Sequence, residues 1–113
     1  MKTKLKYEKY IRNMISEVDK TNEKDNLEIT EKLSKDSFNY QWIFRFENGY
    51  GASVIKSWGS FGFDKDLFEL AVLEFYQHGC HIAYNTRITN EVIGYLTNDE
   101  VLEYLEKIKN LER

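Results

Sequence analysis

The stretch that decides the fold is NYQWIFRFENGYGASVIKSW, residues 39–58. Its aromatic side chains alternate with other residues up to Asn48-Gly49, and a second β-prone run follows, which predicts a β-hairpin. A two-residue turn at Asn48-Gly49 would place Glu47 opposite Tyr50. One face then carries four rings, those of Tyr40, Trp42, Phe44 and Phe46. Across from them we expect smaller side chains, those of Ser57, Ile55, Ser53 and Gly51.

Length and composition narrow the class of protein. The chain has 113 residues, 15% of them aromatic and 31% charged, so we expect one ordered domain, residues 1–113. Its net charge of -3 argues against direct nucleic-acid binding. Cys80 is the single cysteine, and no stretch near the amino terminus has the apolar length of a signal peptide or membrane span. We therefore expect a cytoplasmic protein, without a membrane partner or cofactor.

The amino-terminal 36 residues differ in composition from the remainder. From Leu5 to Val18 the apolar spacing predicts an amphipathic helix, whose stripe consists of Tyr7, Ile11, Met14, Ile15 and Val18. Residues 19–36 are mostly polar and predict a linker, with a weak strand or a short helix near 27–33. We interpret 1–36 as an extension and 37–113 as a core of sheet plus helix.

Charge is divided unevenly between these two parts. Residues 1–36 contain nine Lys or Arg and eight Asp or Glu, which leaves seven basic and eleven acidic residues for the remainder. An acidic surface that mimics nucleic acid is one functional interpretation of this asymmetry, and an ordinary solvated face is the other.

The segment WGSFGF, residues 58–63, follows the hairpin and alternates large rings with Gly and Ser. Flexible glycines would allow Trp58 or Phe61 to point outward as an anchor for a partner. Alternatively, the rings fold back and close the core, because exposed aromatic surface is unfavourable unless a partner covers it.

Residues 64–76, DKDLFELAVLEFY, fit either a helix or a buried strand. Because Phe68, Leu70 and Val72 alternate with other residues, we prefer the strand. A turn at 77–79 then leads into CHIAY, residues 80–84, as a second hairpin. The predicted fold is α+β, an antiparallel sheet of about four strands packed by a carboxyl-terminal helix.

That helix is predicted from the second of two near copies, TNEVIGYL (89–96) and TNDEVLEYL (97–105). Thr97 and Glu100 have capping-box spacing, and lysines follow near the helix end. The expected apolar stripe consists of Val101, Tyr104, Leu105, Ile108 and Leu111. Gly94 weakens the first copy, which we expect to form one or two helical turns.

Candidate chemistry is sparse. His78, Cys80 and His81 carry zinc-ligand groups, but neighbours on a strand point to opposite faces and no second Cys/His pair is present. Cys-His catalysis would need the two groups to converge, so we interpret the segment as a turn with a buried thiol. Asp64 and Asp66 are two neighbouring carboxylates, and such a pair is usually part of a loop and not a metal site. We predict no metal, no catalytic residues and no enzymatic activity.

Three blocks of sequence resemble a family. FENGYGASVI (46–55), LFELAVL (67–73) and ITNEVIGYLTNDEV (88–101) with its continuing helix are similar, in the same order, to small proteins of phages and prophages of Gram-positive bacteria. The resemblance implies a phage origin and supplies no catalytic residues. It also implies a hairpin turn between 73 and 84, and it leaves residues 1–36 outside.

A small acidic phage protein without an active site is expected to bind and inhibit a host protein, and anti-defence proteins of the anti-CRISPR type are the class that this origin suggests. The candidate contact residues are Trp58, Phe61, Phe63, Tyr50 and Tyr7. A small hydrolase or nuclease, using either the Asp64/Asp66 pair or Cys80 with its histidines, is the rival hypothesis. A homodimer formed through a sheet edge or the helix stripe is a third possibility.

Overall fold

Six antiparallel strands and one α-helix form the regular structure of the residues that this computed structural model describes, namely 2–7, 27–33, 39–86, 88 and 92–112. The elements are β1 (Leu27–Leu33), β2 (Asn39–Phe46), β3 (Tyr50–Ser57), a 3₁₀ turn (Phe63–Lys65), β4 (Phe68–Tyr76), β5 (Gly79–Ile82), β6 (Ile93–Leu96) and α1 (Asn98–Lys109). Strands β1 to β5 are neighbours in chain order, and β6 also pairs with β4. The α+β class is confirmed, but the sheet has more strands than the predicted four.

The β2–β3 hairpin has the predicted buried rings but a different register. Tyr40, Trp42, Phe44 and Phe46 are all buried. Phe44 pairs with Ala52 instead of Ser53 because the loop holds three residues, 47–49. Gly49 ends this loop with φ 87° and donates its N–H to the Phe46 carbonyl, a geometry that a two-residue turn lacks. The side chains across from the rings are therefore Lys56, Val54 and Ala52.

The helix α1 covers the face of the sheet that carries these rings. Thr97 Oγ1 accepts the Glu100 N–H, and Glu100 Oε1 accepts the Thr97 N–H, so the predicted capping box is confirmed. Val101, Leu105 and Ile108 are fully buried in one cluster with the rings of β2. The predicted stripe is thus the packing face, and the core lies between α1 and the sheet.

The hairpin turn also holds the carboxyl end of α1. Asn48 Nδ2 lies 2.9 Å from the carbonyl oxygens of Ile108 and Leu111, while its Oδ1 accepts the Tyr50 N–H. The last carbonyls of a helix have no partner within the helix. One turn residue therefore fixes the hairpin and caps the helix.

Residues 2–7, the amino-terminal strap, have no regular secondary structure. The helix predicted from Leu5 to Val18 is therefore wrong for residues 5–7, and residues 8–18 lie outside the described residues. Leu5 is buried instead in the core cluster. The Lys6 backbone exchanges two hydrogen bonds with the Asn98 side-chain amide, which favours an extended chain over a helix at this point.

The remaining elements resolve two alternatives and correct one expectation. Residues 27–33 are a strand, and 68–76 are the preferred strand after a 3₁₀ turn. Residues 93–96 form β6, so the helical turns expected in the first copy are wrong at the described residues. None of the described helical segments has the length and apolar character that crossing a membrane requires.

Candidate functional site

Two segments meet at one corner of the sheet and carry a group of rings. We call this group of rings the aromatic corner; it consists of Trp58, Phe61, Phe63 and Tyr95. The first three belong to the loop after β3, and Tyr95 belongs to β6. The Tyr95 N–H donates to the Phe61 carbonyl oxygen, 3.2 Å away, and the Phe61 N–H donates to Glu69 Oε1 on β4. The loop and the strand are therefore held against each other through their backbones.

Three of these rings face solvent. Trp58 is 76% exposed, Phe61 56% and Tyr95 55%, whereas Phe63 is buried at 7%. The Trp58 ring meets the Phe63 ring edge to face, with 5.9 Å between the centroids. Large exposed rings grouped on one surface leave apolar area that a partner can remove from water, which is the main source of binding free energy in protein interfaces.

The backbone of the corner has positive φ at four residues. Gly59, Gly62, Asp66 and Tyr95 all have positive φ, between 59° and 99°. Tyr95 is the unusual one, because a left-handed non-glycine residue costs about 1–2 kcal/mol. It lies where the β4–β6 pairing shifts register, which is how a β-bulge redirects a side chain. Strain of this kind clusters at functional sites.

A close contact fixes Phe61 over β6. A Cβ atom on Gly94 would lie 2.3 Å from Phe61 Cβ, so only glycine allows this approach. The Phe61 side chain thus rests on the backbone of the strand that presents Tyr95.

An ion pair between the buried Lys56 and the partly exposed Asp66 supports the corner. The Lys56 side chain is fully buried, and its Nζ lies 2.7 Å from both Asp66 Oδ1 and the Thr3 carbonyl oxygen. The same ammonium lies 3.9 Å from the centroid of the Phe68 ring. Because Asp66 immediately follows the 3₁₀ turn, this pair ties the corner loop to β3 and to the amino-terminal strap.

The pKa values of this pair reflect burial and pairing. Burial lowers the pKa of Lys56, and the hydrogen bond to Asp66 opposes that effect. For Asp66, burial would raise the pKa, but hydrogen bonds from Lys56 and Thr3 outweigh it and lower the pKa to about 2. Both carboxylate oxygens of Asp66 already accept hydrogen bonds from Lys56 or Thr3, so Asp66 has a structural role. This weakens the hypothesis that Asp64 and Asp66 form a catalytic pair.

Lysine side chains border the corner. Lys2 donates to the Phe63 carbonyl oxygen and places its ammonium 4.6 Å from the ring centroid of the same residue. Lys65 Nζ lies 5.9 Å from the Tyr95 ring centroid. Both distances are within the range of a cation–π interaction. The rings are thus bordered by positive charge on a chain that is acidic as a whole.

The structure places the five predicted contact residues in three different regions. Trp58, Phe61 and Phe63 lie together in the corner. Tyr50 begins β3, at the end away from Trp58, and is partly buried against the core. Tyr7 packs edge to face on Phe44, with 5.7 Å between centroids. Tyr95 was missed because its segment was predicted to be helical.

The candidate catalytic groups do not converge. Cys80 is exposed on β5, so the expectation of a buried thiol is wrong. His81 Nε2 lies 3.3 Å from Glu74 Oε1 and its ring packs on Tyr76. Among the described residues no group of three or more His, Cys, Asp or Glu side chains is placed to hold a metal ion.

Comparison of the chain with family models, curated proteins and solved structures finds no match.

Proposed function

We propose that the protein is a non-catalytic binding protein of phage origin, and that it inhibits a host protein that it contacts through the aromatic corner. The class of host protein that we propose is a defence protein, as for inhibitors of the anti-CRISPR type.

The aromatic corner is the observation that carries this proposal. Trp58, Phe61 and Tyr95 are exposed on backbone that includes a strained tyrosine and two left-handed glycines. Exposed rings on a strained backbone do not stabilise the fold. In a binding protein, the same arrangement supplies a rigid anchor for the partner. Tryptophan and tyrosine are also the residues most enriched at the energetic centres of interfaces.

The proposed phage origin and inhibitory role are supported by sequence resemblance and not by the aromatic corner. They rest on the resemblance of residues 46–55, 67–73 and 88–108 to small phage and prophage proteins. Among the described residues no three His, Cys, Asp or Glu side chains are grouped to hold a metal ion, so no observation favours a metal-dependent hydrolase or nuclease.

Affinity capture with matched variants tests the binding surface. The tagged protein is presented to a lysate of a Gram-positive host as wild type, as Trp58→Ser/Phe61→Ser, and as Tyr76→Ser/Tyr84→Ser. The control removes two rings that are also at least half exposed but lie outside the corner. We expect the wild type and the control to retain the same partner and the corner variant to lose it. Equal capture by all three would rule out the corner as the contact surface.

Stoichiometry tests the absence of catalysis. With the captured partner purified, we expect its activity to fall to a minimum at one equivalent of the protein and to be indifferent to chelator. Inhibition by a small fraction of an equivalent, lost on Cys80→Ser or Asp64→Asn, would favour the enzyme instead.

A plating assay tests whether the partner is a defence protein. Expression of the wild type in a CRISPR-immune host should raise the plating efficiency of a targeted phage, and expression of the corner variant should not.

A further inference from the structure

The two outer edges of the sheet differ in how they are protected from pairing. β1 forms one edge and carries exposed charged side chains, those of Glu28, Glu31 and Lys32. Charges of this kind prevent edge-to-edge association. β5 lies at the other end of the strand order, and its sequence, GCHI, has no Lys, Arg, Asp or Glu. All four of its residues are exposed.

The phase of the β4–β5 ladder shows which backbone groups of β5 face outward. The Ala83 N–H donates to the Val72 carbonyl oxygen at 2.8 Å, and Glu74 pairs with His81. In an antiparallel ladder every second residue bonds to the same neighbour, so Gly79, His81 and Ala83 direct their N–H and C=O groups to β4. Those of Cys80 and Ile82 point away, and no described strand pairs with them.

We propose that this edge pairs with β5 of a second copy of the chain, antiparallel and about a two-fold axis at His81, so that the protein is a homodimer. A two-fold axis there places Cys80 of each copy opposite Ile82 of the other. Both outward N–H groups and both outward carbonyls of each copy are then satisfied, which is the reciprocity that a two-fold interface requires.

The side chains fit the same arrangement. Cys80 and Ile82 are paired with Phe75 and Leu73, so they lie on the face of the sheet opposite α1. In the dimer the Ile82 side chain of one copy packs beside Cys80 of the other and continues this apolar surface. No fixed like charges meet across the axis, because β5 carries none. A four-residue ladder is short, so we expect a dissociation constant of about 1 µM or weaker.

Hydrogen exchange of the unmodified protein tests the register. We expect the amides of Cys80 and Ile82 to become protected as protein concentration rises through the dissociation constant, while those of Gly79 and His81 stay protected throughout. Sedimentation velocity over the same series should show a monomer–dimer equilibrium, and Ile82→Lys should shift it to monomer. A monomer at every concentration, or a dimer in which the Cys80 and Ile82 amides gain no protection, would overturn the proposal.

Cross-linking provides the second test. His81 would face its own copy with about 4.5 Å between Cα atoms, whereas the two Cys80 residues would be diagonal, at about 7–8 Å. Disulfides require a Cα separation below about 7 Å. Under mild oxidation, Cys80→Ser/His81→Cys should therefore form a disulfide dimer faster than wild type. The matched control, Cys80→Ser/Thr30→Cys on the charged edge, should stay monomeric. Faster linkage of wild type or of the control would contradict the two-fold axis at His81.

Discussion

Two neighbouring segments of this chain have nearly the same sequence and different structures. Residues 89–96 read TNEVIGYL, and residues 97–105 read TNDEVLEYL. In the first, residues 93–96 are a strand that pairs with β4, whereas the second forms the start of α1. Both segments end in a leucine, Leu96 or Leu105, and both leucines are buried in the same core.

The differences in sequence are small but fall at positions that matter for a helix. The second copy has Asp99 as an extra residue, which places Glu100 three residues after Thr97 and completes the capping box. In the first copy Glu91 follows Thr89 by two residues, so that spacing is lost. Gly94 also stands where the helix has Glu103. A cap and one glycine therefore decide between helix and strand when the apolar pattern is nearly the same.

The largest effect is expected at the position where the copies differ in side-chain size. Gly94→Ala places a methyl group 2.3 Å from Phe61 Cβ, which cannot move without shifting the corner loop. We expect the free energy of unfolding to fall by about 1–3 kcal/mol, measured by chemical denaturation. The aligned change in the helix, Glu103→Ala, should alter it by less than about 0.5 kcal/mol. Equal effects of the two changes would show that the close contact is not needed.

The same substitution at the two aligned tyrosines should give different results. Tyr104→Gly weakens the helix and removes a partly buried ring, so we expect a loss of about 1–2 kcal/mol in the free energy of unfolding. Tyr95→Gly relieves a left-handed residue at φ 59°, and this gain offsets the entropy cost of glycine. We expect its free energy of unfolding to stay within about 0.5 kcal/mol of wild type. Comparable losses in both variants would mean that Tyr95 is not strained.

Removing the cap tests the helix copy directly. Thr97→Ala deletes the oxygen that accepts the Glu100 N–H at 3.2 Å, and we expect a loss of about 1 kcal/mol in thermal or urea unfolding. Thr89→Ala in the first copy is the matched control, since its sequence lacks the capping-box spacing. A larger loss for Thr89→Ala than for Thr97→Ala would reverse the proposed role of the cap.

The smallest effect is a pH dependence of the cap. Hydrogen bonds from the backbone and side chain of Thr97 lower the pKa of the Glu100 carboxyl below its ordinary value of 4.5. A pKa that is lower in the folded state contributes stability above pH 4.5, and the contribution is lost as pH falls through the folded value. An NMR titration of Glu100 should give a midpoint below 4.5, and Thr97→Ala should raise it. A midpoint at or above 4.5 in the wild type would contradict the hydrogen bond from the Thr97 N–H to the Glu100 carboxylate.

Much of the fold follows from local patterns. Alternating rings predicted the buried face of β2, and cap spacing predicted α1. The register of β2–β3 did not follow, because Asn48 is engaged with the carbonyls of Ile108 and Leu111, about sixty residues away in sequence. The extended strap was missed for the same reason, since Asn98 replaces the hydrogen bonds that a helix would supply.

The candidate site was only partly predictable. The glycine-rich segment 58–63 identified Trp58 and Phe61 as possible anchors, because glycine spacing is visible in the sequence. Tyr95 was not identified, because its segment was predicted to be helical and its exposure depends on a bulge in the β4–β6 pairing. The Lys56–Asp66 pair was missed because burial of a lysine depends on what the strap covers.

The bond between Lys6 and Asn98 spans 92 positions of the chain. At rates typical of synthesis, the ribosome needs roughly 5–18 s to travel that distance. Throughout this time the Lys6 backbone lacks its partner on α1, whereas the partners of Lys2 and Thr3, which are Phe63 and Asp66, are made earlier. The contact between Lys6 and Asn98 is therefore among the last to form, and a nascent chain is vulnerable to aggregation until α1 emerges.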